Sequence, residues 1–176
     1  YYTRHPVCPL AQTVAALNLD ALFPFGNWTW MTSVGAGLSD LEDLLVDVAA
    51  DAGRRVQPDS SPEVGAFYRG DSYPFIKAGV PAVFAVGNPA PDEPEDSPAN
   101  QRMNAYVRDG YHRPNDEYDP ASWDLRGVEG DVRVYFELGR RLAEGREFPN
   151  WHPGTEFRDA RDAQRDAGRH ERSTLR

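Results

Sequence analysis

The sequence predicts an α/β fold, a three-layer αβα arrangement around a mainly parallel mixed sheet. Three observations carry that prediction. Thr13-Val14-Ala15-Ala16-Leu17-Asn18-Leu19-Asp20 is a continuous apolar run closed by a carboxylate, the pattern of a parallel strand buried on both faces. Ala82 to Val86 is a second run of this kind. Two further stretches, about 40–52 and about 124–144, carry apolar residues at helical spacing, and they alternate with the apolar runs.

In chain order, residues 1–12 mix aromatic and polar side chains around Pro6 and Pro9 and lead into the first strand, with Pro9 as the break. A turn-rich loop, Ala21 to Asn27, separates that strand from a second, Trp28 to Val34, rich in aromatic and β-branched residues. Asn27-Trp28-Thr29 fits the glycosylation sequon but abuts this strand, and it is expected to be unmodified. The first helix has Ser39 as N-cap and Glu42 at the position that completes a capping box. Leu41, Leu44, Leu45, Val48, Ala49 and Ala52 form its apolar stripe, and Gly53 suits its C-terminal cap.

Residues 56–66 read as a Pro/Ser-rich loop. Phe75 to Ala78 reads as a short helix, and Gly79-Val80-Pro81 turns the chain into the Ala82–Val86 strand. Asn88 to Pro98 holds four prolines and four acids in eleven residues and is a loop, placed to rim a site or to lie inert on the surface. The last helix presents Val128, Val132, Tyr135, Phe136, Gly139, Leu142 and Ala143 on one face, and Gly145 can end it. Trp151 to Gly154 reads as a turn with His152 on the surface. Residues 158–176 alternate Arg, Asp and Ala with Leu175 as their one large apolar residue, so disorder is expected there. The organisation is therefore one domain over residues 1–157 and a charged tail over 158–176.

Composition narrows the function. With 19 basic and 28 acidic residues the formal charge is 19 − 28 = −9, which argues against nucleic acid as a partner. No apolar run approaches the roughly 20 residues of a membrane span. Cys8 is the only cysteine, so there is no internal disulfide. His5 and Cys8 have a spacing that zinc sites use, but a structural site wants four ligands and no companion pair follows.

The chemistry concentrates in Tyr111-His112-Arg113-Pro114-Asn115-Asp116-Glu117-Tyr118-Asp119. A neutral imidazole is a common zinc ligand, and a nearby carboxylate can fix its tautomer by accepting the other ring N–H. Asp116 is the nearest carboxylate for that role, with Asp119 behind it. A surface histidine in a charged loop is the plainer reading. Asp20 stands at the carboxyl end of a predicted buried strand, where ligands sit in open α/β sheets. A turn or cap residue is the alternative there.

Taken together, Asn18-Leu19-Asp20, then Arg69-Gly70-Asp71-Ser72-Tyr73-Pro74-Phe75 leading to Gly79-Val80-Pro81, then Tyr111-His112 resemble the dizinc exopeptidase family in order and spacing. That family includes bacterial secreted aminopeptidases, plasma glutamate carboxypeptidase and glutamate carboxypeptidase II. The resemblance covers roughly residues 1–157, with Ser72 standing where the family has a histidine. It implies two zinc ions bridged by an aspartate, with Asp20 completing the coordination of one and His112 that of the other. It implies Tyr111 as the hydrogen-bond donor to the developing oxyanion, Asp116 and Asp71 as outer partners of the ligands, and a glutamate as general base. The substrate would be a peptide or an N-acylated amino acid, in an extracellular or periplasmic setting.

The family's earlier ligands are a His-x-Asp pair and a Glu-Glu pair, and neither occurs among the nineteen residues before Asp20. The chain is therefore expected to be the C-terminal part of a larger enzyme, binding zinc poorly and catalysing nothing alone. Two other readings stay open. One is a non-catalytic binding or scaffold domain of the same fold; the other is a zinc-dependent acyltransferase of the glutaminyl-cyclase type. The residues do not choose between amino- and carboxy-exopeptidase.

Overall fold

The computed structural model describes residues 1–146 and 148–174. Strands β1 (Ala16–Asn18), β2 (Trp30–Ser33), β3 (Arg55–Pro58) and β4 (Ala82–Asn88) form one sheet in the order β1-β4-β2-β3. β1 pairs with β4 and β2 with β3 in parallel, while β2 pairs with β4 antiparallel. The sheet is thus mixed and mostly parallel. Helices α1 (Asp40–Asp51), α2 (Ala66–Arg69), α3 (Tyr73–Lys77), α4 (Pro98–Asp109), α5 (Arg126–Glu144) and α6 (Arg158–Thr174) flank it.

Successive strand residues point to opposite faces, and β4 uses both. Val83 and Ala85 join Met31 against Leu41, Leu45, Val48 and Ala49 of α1 and Val134, Tyr135 and Leu138 of α5. Ala82 packs with the other cluster, built on Ile76 of α3, Trp151 and Phe157. Each large apolar side chain buried in this way contributes about 1.5–3 kcal/mol relative to exposure. One buried ion pair ties α5 to the sheet. Arg54 Nη1 donates to Asp131, Gly87 N–H donates to the same carboxylate at 2.9 Å, and Arg54 Nε donates to the Trp28 carbonyl at 3.0 Å. Burial pushes the Asp131 carboxyl up, while Gly87 N–H and Arg54 pull it down.

Several expectations need correction. Ser39 does occupy the N-cap of α1, but its side chain makes no capping bond. The Glu42 carboxylate accepts from Gly37 N–H and the Ser33 hydroxyl, so no capping box forms. Ser39 is extended and bridges to Trp151, and it meets the helix start through its carbonyl, which accepts from Glu42 N–H at 3.0 Å. Gly53, with φ of 71°, does end α1 in the left-handed region that suits glycine. Residues 55–58, expected in a loop from Val56 on, form the edge strand β3, and Pro58 is tolerated there because it is the last residue of an edge strand. α4 was not anticipated, because it has no buried residues and hence no apolar stripe to read. Its start is nonetheless well specified: Ser97 Oγ accepts from Asn100 N–H at 3.2 Å, and Pro98 follows the cap.

The strand expected over 13–20 is shorter, Ala16–Asn18. Where its next bond to β4 would fall, the Tyr135 hydroxyl stands instead. The tail also differs from expectation: α6 begins at Arg158 and docks on the segment ahead of β1. Arg161 is fully buried and donates to the carbonyls of Leu10 (3.3 Å), Thr13 (2.9 Å) and Val14 (3.1 Å). The packing face is a guanidinium on carbonyls rather than an apolar stripe, so hydrophobic periodicity could not reveal it. Residues 175–176, with the apolar Leu175, lie outside the described residues.

Candidate active site

β1 and β4 run the same way, so their carboxyl ends open toward the same side of the sheet. Asp20 stands two residues past β1 and is exposed. The loop that follows is pinned at two points: Trp28 Nε1 donates to the Phe23 carbonyl at 3.0 Å, and Asp124 N–H donates to the Pro24 carbonyl at 2.8 Å. From there a line of ring contacts runs to the second motif. Phe25 lies 5.1 Å from Tyr106 of α4, Tyr106 lies 6.1 Å from Tyr111, and Tyr111 stacks on His112 at 3.8 Å between ring centres. The fold thus links the loop after Asp20 to His112 through three aromatic rings, Phe25, Tyr106 and Tyr111.

The Tyr111-His112 turn is built tightly off the end of α4. Gly110 and Tyr111 N–H both donate to the Tyr106 carbonyl at 2.8 Å, and Arg113 N–H donates to the Gly110 carbonyl at 2.9 Å. Among the described residues His112 is the one non-glycine residue with positive φ, at 58°. Such a backbone costs of order 1–3 kcal/mol and tends to occur where function fixes a side chain. Both rings are exposed, Tyr111 by 40%.

Asp116 was expected to orient His112. It instead accepts from the Tyr106 hydroxyl at 2.9 Å. Desolvation first, and Asp116 next, push the Tyr106 phenol up to about 12. Asp119 is a turn residue: it accepts from Ser122 Oγ at 2.6 Å and Ala121 N–H at 2.9 Å, and these bonds hold it below the usual carboxylate range. Asp71 is exposed in the turn between α2 and α3, next to Gly70, which lies beside the Phe84 ring of β4. Tyr106 escaped the sequence reading altogether. Its one signal was its place five residues before Tyr111 with Gly110 between, a spacing that lets a helix end fold its last aromatic back on the next.

Among the described residues, Asp40, Asp43 and His152 form the group of three metal-capable side chains whose ligand atoms lie within 4.8 Å of one another. It lies beyond the other end of the sheet. β2 runs opposite to β4, Ser39 bridges to Trp151, and Trp151 Nε1 donates to the Gly79 carbonyl just before β4 begins. His152 Nδ1 is 3.1 Å from the Gly37 carbonyl, and Nε2 is 3.1 Å from Asp43 and 3.4 Å from Asp40. Both ring nitrogens face acceptors, which suits a doubly protonated imidazolium. The Gly37 carbonyl first, then Asp43 and Asp40, raise its pKa. His152, expected as a plain surface residue, is thus a clamp between α1 and the segment before α6.

Asp20 and His112 are the oxygen and nitrogen donor types that zinc accepts, but neither belongs to a three-ligand group among the described residues. A sequence model of Peptidase family M28 matches residues 1–136, and the chain belongs to that family, whose members are zinc exopeptidases. The match spans Asp20, Asp71, Tyr111, His112 and Asp116. No curated protein and no solved structure matches the chain.

Proposed function

We propose that this chain carries part of the centre of a zinc-dependent aminopeptidase, with Asp20 and His112 each holding one zinc ion and Tyr111 serving as oxyanion donor. The observation that carries the reading is the run of ring contacts from Phe25 through Tyr106 and Tyr111 to His112, which links the loop after Asp20 to the second motif. When bound, zinc would lower the pKa of a water molecule and polarise the scissile carbonyl. The chain's own residues do the rest of what can be assigned to it. Asp20 offers a carboxylate oxygen and His112 a ring nitrogen. Tyr111 can donate one hydrogen bond from its hydroxyl to the oxygen on which charge develops. Tyr106, held by Asp116, backs the turn that presents them. Asp71 is the remaining outer carboxylate in this assignment.

Zinc centres take three or four protein ligands. Two residues for two ions fall short, so these 176 residues by themselves should bind zinc weakly and turn over no substrate. Calorimetric titration of zinc into the chain, with amino-acid anilides and N-terminal glutamine peptides as substrates, tests this. Tight binding of two zinc ions, or turnover, would contradict it. The upstream reading frame of the gene supplies the companion test: a His-x-Asp and a Glu-Glu pair there support the enzyme. Their absence would favour a non-catalytic scaffold.

A further inference from the structure

We infer that Tyr135 is a positioning residue for Asp20: its hydroxyl is interposed in the last rung between β1 and β4 and sets how far their carboxyl ends stand apart. The inference about Asp20's chemistry rests on the reading of Asp20 as a zinc ligand; the wedge itself does not.

In a parallel pair with Asn18 opposite Phe84, the next bond should run from Ala85 N–H to the Asn18 carbonyl. That bond is replaced. Ala85 N–H donates to Tyr135 Oη at 2.7 Å, and the hydroxyl lies 2.8 Å from the Asn18 carbonyl and 3.0 Å from that of Ala85. A phenol has one proton, so it bridges from the Ala85 amide to one carbonyl at a time, and Asn18 is the nearer. β1 ends at this residue, and Leu19 and Asp20 leave the sheet into solvent. The wedge is rigid. The ring is 3% exposed and packs among the residues of the α1–α5 core, so it has no room to swing away. A Tyr ring has a fixed length, and α5 is anchored by the Arg54–Asp131 pair four residues earlier on the same face. The gap at the strand ends is therefore set by a side chain from the opposite layer. That gap lies at the carboxyl ends of two parallel strands, where open α/β sheets place their ligands.

Without the hydroxyl, the Ala85 amide and the Asn18 carbonyl are left facing one another and the strands can close on the direct bond. Closure carries β1 on toward Asp20 and turns its carboxylate. The test is Tyr135→Phe in the protein as its gene encodes it, beside Val134→Ala, a truncation in the preceding residue of the same core cluster that removes packing but no hydrogen bond to either strand. In metal-free protein, Tyr135→Phe should shift the backbone amide resonances of Leu19 and Asp20, and Val134→Ala should not. Zinc affinity should fall roughly tenfold in Tyr135→Phe, the low end of what losing a ligand's direct outer partner costs, because Tyr135 acts on Asp20 only through the strand end, and change less than about twofold in Val134→Ala. Unmoved Leu19 and Asp20 resonances, or equal losses of zinc affinity in the two variants, would overturn the inference. If the parent binds no zinc, the family-based assignment of Asp20 fails, yet the amide shifts still decide the wedge. The parent alone gives a measure that needs no variant. The Tyr135 hydroxyl proton should exchange slowly with water and show an Overhauser contact to Ala85 N–H; a freely exchanging hydroxyl would contradict the interposed geometry.

Discussion

At the scale of single residues, the groups proposed to meet a substrate differ from those that hold the fold. Tyr111 precedes the proposed ligand His112, stacks on it at 3.8 Å and is exposed. A donor aimed at an oxyanion acts in the transition state. In the active enzyme, Tyr111→Phe should keep its full zinc content and lose roughly 10²–10³ in kcat, while His112→Ala should lose zinc as well. Steady-state kinetics with metal analysis on both variants check this; parental turnover by Tyr111→Phe would make the ring a packing residue. Asp131 belongs to the other group. Removing it leaves the Arg54 guanidinium and the Gly87 amide buried without their acceptor. Asp131→Ala should cost about 3–5 kcal/mol in urea unfolding, a large share of a domain's stability. The sequence made Tyr111 and His112 visible because their chemistry is local. It could not show that Asp116 serves Tyr106, since either ring is within reach of that carboxylate and only the turn off α4 decides.

At the scale of elements, local patterns were readable where an apolar stripe or strand-forming run existed. α1, α5 and β4 show such patterns, and the structure has them near the expected places. α4 and α6 have polar faces, and β3 is a short edge strand ending in proline, so none stood out. α6 makes the sharpest case, since a buried cation, Arg161, anchors it beside Arg158 on the Trp151 carbonyl and Gln164 on that of Ala78. Arg161→Ala removes the donor to three carbonyls ahead of β1. Limited proteolysis should then cut within 158–167 at least tenfold faster while α1 and α5 resist; unchanged cleavage would show that α6 docks by other contacts. The His152 clamp adds a pH dependence. Its folded pKa is raised, so the stability it contributes is fully present below the ordinary histidine value of about 6.5 and is lost as pH rises through the folded value. Amide exchange of Trp151 and His152 should therefore accelerate as pH rises above about 6.5 by more than the intrinsic base dependence, and His152→Gln should remove that excess.

At the scale of the whole molecule, the mostly parallel sheet flanked by helices was legible because parallel strands buried on both faces read as continuous apolar runs. The antiparallel pairing of β2 with β4 was not, since the turn-rich loops before and after Trp30–Ser33 do not fix its direction. Nor was the early end of β1, which depends on a tyrosine over a hundred residues away in the chain. The same sheet separates two sites. Asp20 opens at the carboxyl ends of β1 and β4, and the Asp40–Asp43–His152 group lies beyond the amino end of β4. That separation makes the central claim testable in one measurement. Zinc content should be determined on the protein as its gene encodes it, as parent, Asp20→Ala, His112→Ala and His152→Ala. Two zinc ions in the parent and in His152→Ala, with metal lost from both Asp20→Ala and His112→Ala, is the result expected of a centre built on β1 and the α4 turn. Full metal content in Asp20→Ala and His112→Ala, or loss in His152→Ala alone, would contradict it.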